Sequence, residues 1–283
     1  MTKNREKRIL LPTDFSENAW NAIDYAVNLF KDEDCIFYLL NTYTPVIYHV
    51  EYVLVNPAQF GMGDPIRENS ERCLHSIRDR ILKENKNPRH KIECISAFNT
   101  LIPEILEVVN QKSIDLVVMG TKGATGTKEV LFGSNTVHVF KGVNCPVMAI
   151  PDDYPYEQPQ EILFPTDYKV DYEKSNLELL GYLSDAMKTR INVLHVMEDE
   201  DLSEDEENNK LMLKEKLGSG SVLFHDLEGH SVPEVISNFQ QRASINLLVM
   251  INNKHSFFEN LFFRPTINQI GFHLNVPFLV FPA

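Results

Sequence analysis

The sequence lacks the motifs by which metal enzymes, redox proteins and the common nucleotide-binding loops are recognised. Its four cysteines form no CxxC pair and its nine histidines form no HxxxH or HExxH pair. It contains neither GxxxxGK[ST] nor GxGxxG, and no apolar run approaches the roughly 20 residues that a membrane helix needs. Zinc chemistry, a P-loop and a membrane span are therefore disfavoured, and widely spaced cysteines favour a reducing cytoplasm.

Basic charge is also scarce, since the formal net charge is −13. Nucleic-acid binding needs a basic face, so this balance disfavours it. Much of the negative charge lies in "EDEDLSEDEE" (198–207). This run is either an acidic interaction tail or cation site, or a solvated loop. We expect the loop, because no glycine punctuates the run as in a calcium-binding loop.

The sequence does contain an internal repeat. Its 283 residues, 43% of them hydrophobic and 24% charged, suit a globular chain of about two domains. Three segments recur in the same order in both halves: 9–16 as 162–169, 101–119 as 231–250, and 144–151 as 275–282. The repeat predicts two tandem domains, 1–152 and 161–283, joined by a proline-rich, acidic linker at 153–160.

Each half alternates strand-like and helix-like segments. In the first half, five runs rich in Ile, Leu and Val are "RILLP", "IFYLLN", "KIECISA", "IDLVVMG" and "PVMAIP". Apolar residues recur at helical spacing between them, as in Ile23, Ala26, Val27 and Phe30. Runs without polar alternation suit parallel strands buried on both faces. We therefore predict an α/β fold of two doubly wound, Rossmann-like domains with mainly parallel sheets.

One glycine pattern and one aspartate are expected to meet in the first half. Ligands of doubly wound sheets bind beyond the carboxyl ends of the strands. Asp14 follows the first strand, and Gly120-x2-Gly123-x9-Gly133-Ser134 follows the fourth. The glycines allow close backbone approach, and a helix opening at Gly133 suits a phosphate.

The same pattern has a plainer interpretation, because glycine after a strand and Gly-Ser before a helix are ordinary turn and cap chemistry. The aspartate at the neighbouring strand favours the nucleotide interpretation. Its carboxylate repels phosphate but accepts hydrogen bonds from a ribose hydroxyl or an adenine amino group. Lys122 and Lys128 would add positive charge to the loop.

Together, "PTDFS" (12–16) and G-x2-G-x9-G-[ST] resemble the ATP-binding subgroup of the universal stress protein family. The resemblance implies five parallel strands in the order 3-2-1-4-5 in each domain. It also implies pairing of domains through the last strand, hence an internal pseudo-dimer of the two halves, with a homodimer as a further possibility.

The resemblance implies a nucleotide site with adenine near Asp14 and the end of the second strand, and phosphates against the glycines. The predicted binding residues are Pro12, Thr13, Asp14, Asn41, Thr42, Met119, Gly120, Lys122, Gly123, Gly133, Ser134 and Asn135. The expected ligand is ATP, with AMP, ADP and accompanying Mg²⁺ left open. No catalytic base or resident metal site can be named, so we expect a regulatory stress-response protein. The alternatives are a slow ATPase or phosphotransferase, and a dimerisation scaffold without nucleotide.

The second half departs from the glycine pattern. Aligned on "LVM", its residues at the four key positions are Ile251, Lys254, Arg264 and Pro265. Side chains then stand where the backbone would approach phosphates, and proline removes a helix N–H donor. We predict that this half binds no ATP and that Asp167 caps a turn, with anion binding by Lys254 and Arg264 as a rival hypothesis. The first half's surplus, residues 44–66, is either a lid or interface, or a surface excursion.

Overall fold

The computed structural model describes residues 5–44, 63–121, 133–173, 175–197, 202–218, 221–229, 232–252 and 276–282. The chain divides into two compact units, residues 1–145 and 146–283. Most of the surplus segment at 44–66 lies outside the described residues, so its predicted lid or interface role stays a prediction.

The described residues of the first unit form four parallel strands and four helices. They are β1 (Lys7–Pro12), α1 (Glu17–Leu29), β2 (Cys35–Tyr43), α2 (Gly63–Glu84), β3 (His90–Phe98), α3 (Leu101–Lys112), β4 (Leu116–Gly120) and α4 (Ser134–Gly142). The strand order is β3-β2-β1-β4, and every pair is parallel. The carboxyl ends of β1 and β4 are neighbours, so the turn after β1 and the loop after β4 share one edge.

The second unit begins with a strand that belongs to the first repeat by sequence. Its elements are β5 (Val147–Ile150), β6 (Glu161–Pro165), α5 (Glu178–Met187), β7 (Arg190–Met197), α6 (Glu204–Leu217), β8 (Val222–Glu228), α7 (Val232–Arg242), β9 (Leu247–Asn252) and β10 (Phe278–Pro282). The order is β5-β10-β9-β6-β7-β8. Strands β6 to β10 are parallel and follow the predicted order 3-2-1-4-5, whereas β5 pairs antiparallel with β10. The doubly wound α/β fold is confirmed.

The apolar patterns explain these elements. Ile23, Ala26, Val27 and Phe30 are all at most 2% exposed and form the stripe by which α1 covers the sheet. The four residues of β1 from Ile9 to Pro12 are buried, as expected of a strand covered on both faces. Each such stripe excludes apolar surface from water, which is the main driving force of folding.

The acidic run is partly helical, so its interpretation as a loop is wrong for residues 204–207. Helix α6 begins at Glu204, because Ser203 and Glu206 form a reciprocal capping box. The Glu206 carboxylate accepts from the Ser203 N–H at 2.8 Å and from its hydroxyl at 2.9 Å. These two hydrogen bonds lower the pKa of Glu206, and the acidic residues of the first turn lie favourably at the positive end of the helix.

No described helix combines the length and the apolar composition that a membrane span requires.

Candidate functional site

The turn after β1 presents Asp14 at the carboxyl edge of the sheet. The exposed Asp14 carboxylate accepts from the backbone N–H of Ser16 at 3.0 Å and from its hydroxyl at 2.6 Å. Ser16 then caps α1 by accepting from the N–H of Ala19 at 3.2 Å. Phe15 takes the left-handed conformation, with φ of 66°, which closes the turn. The aspartate is thereby held at the positive end of a helix.

The second repeat builds the same turn. Asp167 Oδ1 accepts from the N–H of Lys169 at 3.1 Å, and Tyr168 takes φ of 55°. In both repeats a threonine hydroxyl, of Thr13 or of Thr166, accepts from the N–H two residues later at 3.0 Å. The aspartate therefore has a turn-building role in both halves, as predicted for Asp167, and does not by itself distinguish a nucleotide site.

Asn41 meets the Asp14 turn, as the sequence predicts, but its side chain is engaged with the protein. Its Nδ2 donates to the Thr13 carbonyl at 2.8 Å, and its Oδ1 accepts from the Ser70 hydroxyl at 2.8 Å. Ser70 in turn accepts from the Ser96 hydroxyl at 2.8 Å. Sequence reasoning missed both serines, since nothing in their spacing marks them. Thr42, the next residue of β2, is half-buried and lies opposite Ala97 of β3.

Gly120, at the end of β4, lies against helix α1. A Cβ atom added there would be 2.8 to 2.9 Å from the carboxamide atoms of Asn18, which is closer than real Cβ contacts allow. Asn18 is 9% exposed and Met119, the preceding residue, is 6% exposed. Glycine at this position therefore leaves room for the Asn18 side chain, which would have to shift if Gly120 carried a Cβ.

The second repeat resolves the same steric problem differently. Its residue at this position, Ile251, is buried. Helix α5 begins only at Glu178, well after the turn at Asp167, and its N-cap Leu177 makes no side-chain hydrogen bond. Lys169 replaces the capping Ser16, which explains why the helix does not start directly after the turn. None of the described residues between 168 and 177 is helical, whereas α1 of the first repeat already includes Asn18.

Helix α4 is brought to the end of β4 by short-range contacts. The N–H of Gly133 donates to the Thr121 carbonyl at 2.7 Å. The buried hydroxyl of Thr136 donates to the Gly120 carbonyl at 3.2 Å. Gly133 is the N-cap and supplies no side-chain hydrogen bond, while Ser134 and Asn135 are exposed. The first turn of α4 therefore faces outward at the edge where Asp14 lies. The hydrogen bond from Thr136 to the Gly120 carbonyl is another contact that the glycine pattern does not predict.

Part of the predicted site lies outside the described residues. These positions are Lys122, Gly123 and Lys128 in the first repeat, and Lys254, Arg264 and Pro265 in the second. The structure brings Pro12, Thr13, Asp14, Asn41, Met119 and Gly120 together with the start of α4, and the glycine loop between them rests on sequence alone.

Comparison with known proteins finds a protein family whose model matches this chain. The family model described as "Universal stress protein family" matches residues 6–151, more than half of the chain. The chain belongs to the universal stress protein family. A universal stress protein of Methanocaldococcus jannaschii is 28% identical over 151 residues, which cover 52% of this chain and 84% of that relative. This chain is about twice as long as the family match within it.

Solved universal stress proteins share the fold. A crystal structure from Archaeoglobus fulgidus covers 98% of both chains with a TM-score of 0.72 at 18% identity. A universal stress protein crystallised in complex with cAMP covers 51% of this chain at 19% identity, with a TM-score of 0.36. At 18% identity the likeness to the Archaeoglobus fulgidus structure shows the fold alone. The site must be judged from the residues of this chain.

In this universal stress protein, the edge of the second repeat carries bulky side chains. The Thr166 side chain forms a hydrogen bond with the hydroxyl of Tyr172, and its carbonyl lies 3.2 Å from Nδ1 of His195. Tyr168 and Tyr172 are fully buried, and burial raises the pKa of both phenols. The Tyr168 ring packs 5.0 Å from the His195 ring. Aromatic side chains of the protein itself thus pack around the turn at Asp167.

Proposed function

We propose that the protein is an ATP-binding regulatory or stress-response protein that holds adenine nucleotide in its N-terminal repeat alone. One observation carries the proposal. The exposed carboxylate of Asp14 and the outward-facing start of α4, capped by Gly133, lie at the ends of the neighbouring strands β1 and β4. One group accepts hydrogen bonds, and the other attracts anions. A nucleotide requires the hydrogen-bond acceptor for its nucleoside and the anion site for its phosphates.

The phosphates are assigned to the start of α4. The free N–H groups and positive dipole end of a helix favour phosphate, and a glycine cap leaves the approach open. Ser134 and Asn135 are exposed in the first turn and supply further donors. We assign Lys122 and Gly123 to the same phosphate site from the sequence pattern. Mg²⁺ would accompany the phosphates of ATP, and no resident metal is proposed.

The nucleoside is assigned to the Asp14 turn. A carboxylate there accepts hydrogen bonds from a ribose hydroxyl or the adenine amino group. Pro12, Thr13 and Met119 are buried beneath the edge and would form its floor, with Thr42 beside them. Whether ATP, ADP or AMP binds best depends on the contacts of the phosphate loop.

The second repeat is proposed to bind no ATP. The buried Ile251 at the position of Gly120 supports this, as do the tyrosines packed around Thr166. Anion binding by Lys254 and Arg264 stays a rival prediction.

We also propose that the two repeats pair through their last strands as an internal pseudo-dimer, which the antiparallel pairing of β5 with β10 supports. The cytoplasm is the proposed compartment, in keeping with the buried free thiols of Cys35 and Cys145.

Calorimetric titration of the intact protein with ATP tests the proposal. Asp14→Asn keeps an oxygen for the turn but removes the charge, so it should weaken ATP binding about tenfold or more. Asp167→Asn makes the same change in the second repeat and should leave ATP affinity unchanged. Gly133→Arg, which copies the second repeat, should abolish binding while the fold persists.

Each result has a contrary outcome. Unchanged ATP affinity in Gly133→Arg would show that the phosphates do not lie at α4. Equal weakening by Asp14→Asn and Asp167→Asn would contradict binding by one repeat. We expect phosphate release on incubation with ATP to stay near the buffer rate, and rapid multiple turnover would favour the ATPase alternative. A wild-type protein that binds no nucleotide would favour the scaffold alternative.

A further inference from the structure

We propose that Asn41, supported by Ser70 and Ser96, is a positioning residue that holds the Asp14 turn in the geometry required for nucleotide binding. Its side chain then acts through the turn and makes no contact with the nucleotide itself. This inference rests on the proposed function, and it revises the assignment of Asn41 that the family resemblance implies.

The direction of every hydrogen bond in this network follows from chemistry. The Thr13 carbonyl can only accept, so the Asn41 atom 2.8 Å from it must be Nδ2. The amide oxygen then faces Ser70, also at 2.8 Å, and takes the single proton of that hydroxyl. Ser70, which is 2% exposed, must therefore accept from Ser96. The chain of donors runs without a break from β3 through α2 and β2 to the end of β1.

The network fixes the peptide that carries Asp14. Regular pairing of β1 with β2 ends at Pro12 and Leu40. The Thr13 N–H still donates to the Leu40 carbonyl at 2.8 Å, and the Asn41 amide binds the carbonyl of the same threonine. The side chain of Asn41 thus adds one hydrogen bond between the two strands beyond the last residue pair of β1 and β2. Without it, the Thr13–Asp14 peptide loses its side-chain bond to β2, and the turn that carries the Asp14 carboxylate is held less firmly.

The second repeat provides an internal comparison. Pro165 pairs with Leu194 as Pro12 pairs with Leu40, so His195 occupies the position of Asn41. Its Nδ1 lies 3.2 Å from the Thr166 carbonyl, the counterpart of the Thr13 carbonyl. A carbonyl can only accept, so Nδ1 carries the proton of that bond. Two different residue types thus make the same bond, so the feature that the two repeats share is the bond and not the amide group.

The residues next to the side chain that binds the threonine carbonyl differ between the two repeats. Asn41 is opposite Ser96 in β3, and His195 is opposite Asp226 in β8. Asp226 forms an ion pair with Lys210 of α6 at 2.9 Å, where the first repeat has the Ser96–Ser70 hydroxyl pair. An uncharged network beside Asp14 avoids placing a second carboxylate and an ammonium at the nucleotide edge.

The experiment measures ATP affinity by calorimetry and thermal stability for four variants of the full chain. Asn41→Ala removes the donor to the Thr13 carbonyl and the acceptor of the Ser70 hydroxyl proton, and should raise the Kd about tenfold. Ser70→Ala should raise it about threefold, by loosening the amide. Asn41→His, borrowed from the second repeat, keeps a donor for the Thr13 carbonyl and should stay within about twofold of wild type.

His195→Ala is the matched control. It removes the equivalent bond from the second repeat, so it should lower thermal stability to a degree similar to Asn41→Ala while leaving ATP affinity unchanged. A purely structural role for Asn41 would instead give the two variants the same effect on ATP binding.

Three outcomes would overturn the inference while the wild type still binds ATP: Asn41→Ala with wild-type affinity, Asn41→His as weak as Asn41→Ala, or His195→Ala as weak as Asn41→Ala. The second outcome would mean that the amide itself contacts the nucleotide. A wild-type protein without ATP affinity would overturn the proposed function and this inference together, so the two failures are distinguishable.

Discussion

A single methyl group at Gly120 is expected to destabilise the first repeat through one contact. The added Cβ would lie 2.8 to 2.9 Å from three atoms of the Asn18 carboxamide, whereas non-bonded carbon contacts are normally about 3.5–4.0 Å. Gly120 is not among the residues with positive φ, so alanine meets no backbone penalty. Asn18 is buried and must move, and overpacking of this kind costs about 1–3 kcal/mol.

The chain contains a convenient reporter for this measurement. Trp20 is its one tryptophan, lies in α1 of the first repeat, and is 8% exposed beneath the guanidinium of Arg80. Its fluorescence during urea denaturation therefore follows the first repeat alone. Gly120→Ala should lower the urea midpoint without changing the slope, because the exposed surface on unfolding is nearly the same.

A double-mutant cycle with Asn18→Ala isolates the contact. Removing the carboxamide makes room for the methyl group, so the double variant should resemble Asn18→Ala alone, with a coupling of about 0.5–3 kcal/mol. Additive losses, or a Gly120→Ala variant as stable as wild type, would refute the steric explanation. The glycine would then have to be explained by ligand approach alone.

Two further predictions concern titration and thiol reactivity. Burial lowers the pKa of His90 from its ordinary value of 6.5, against an opposing hydrogen bond to the Phe30 carbonyl. The folded state therefore binds fewer protons than the unfolded state below about pH 6.5, and stability should fall as the pH drops through that window towards the lowered pKa. His90→Gln should show a smaller difference in Tm between about pH 7.5 and about pH 5.5, and an unchanged difference would contradict the assignment. Burial also raises the pKa of Cys35 and Cys145 to about 12, so alkylation of the native protein should leave both unmodified by mass spectrometry. Labelling of either thiol before unfolding would contradict their burial.

Much of the fold is predictable because it depends on periodicity. The helical spacing of Ile23, Ala26, Val27 and Phe30 corresponds to α1, and the unalternated run before Asp14 corresponds to β1. Repetition within the chain predicts the second set of strands. The helix at 204–217 is also predictable, because Ser203 and Glu206 have the spacing of a capping box. The dense acidic charge led instead to the prediction of a solvated loop.

The site is less predictable, because its contacts join residues that are distant in the sequence. Asn18 and Gly120 meet only after α1 has packed across the end of β4, and no local pattern reveals this. The bond between Asn41 and Ser70 depends on where α2 settles over the sheet. Motifs therefore indicate at which edge the site is proposed, while packing decides which side chains are engaged with the protein and which are exposed.

The number of ATP molecules bound by each intact chain decides whether one repeat or two binds nucleotide. Native mass spectrometry at saturating ATP should show one nucleotide per chain in the wild type and in Asp167→Asn, and none in Gly133→Arg. Two nucleotides per chain, or one that persists in Gly133→Arg, would contradict nucleotide binding by the N-terminal repeat alone.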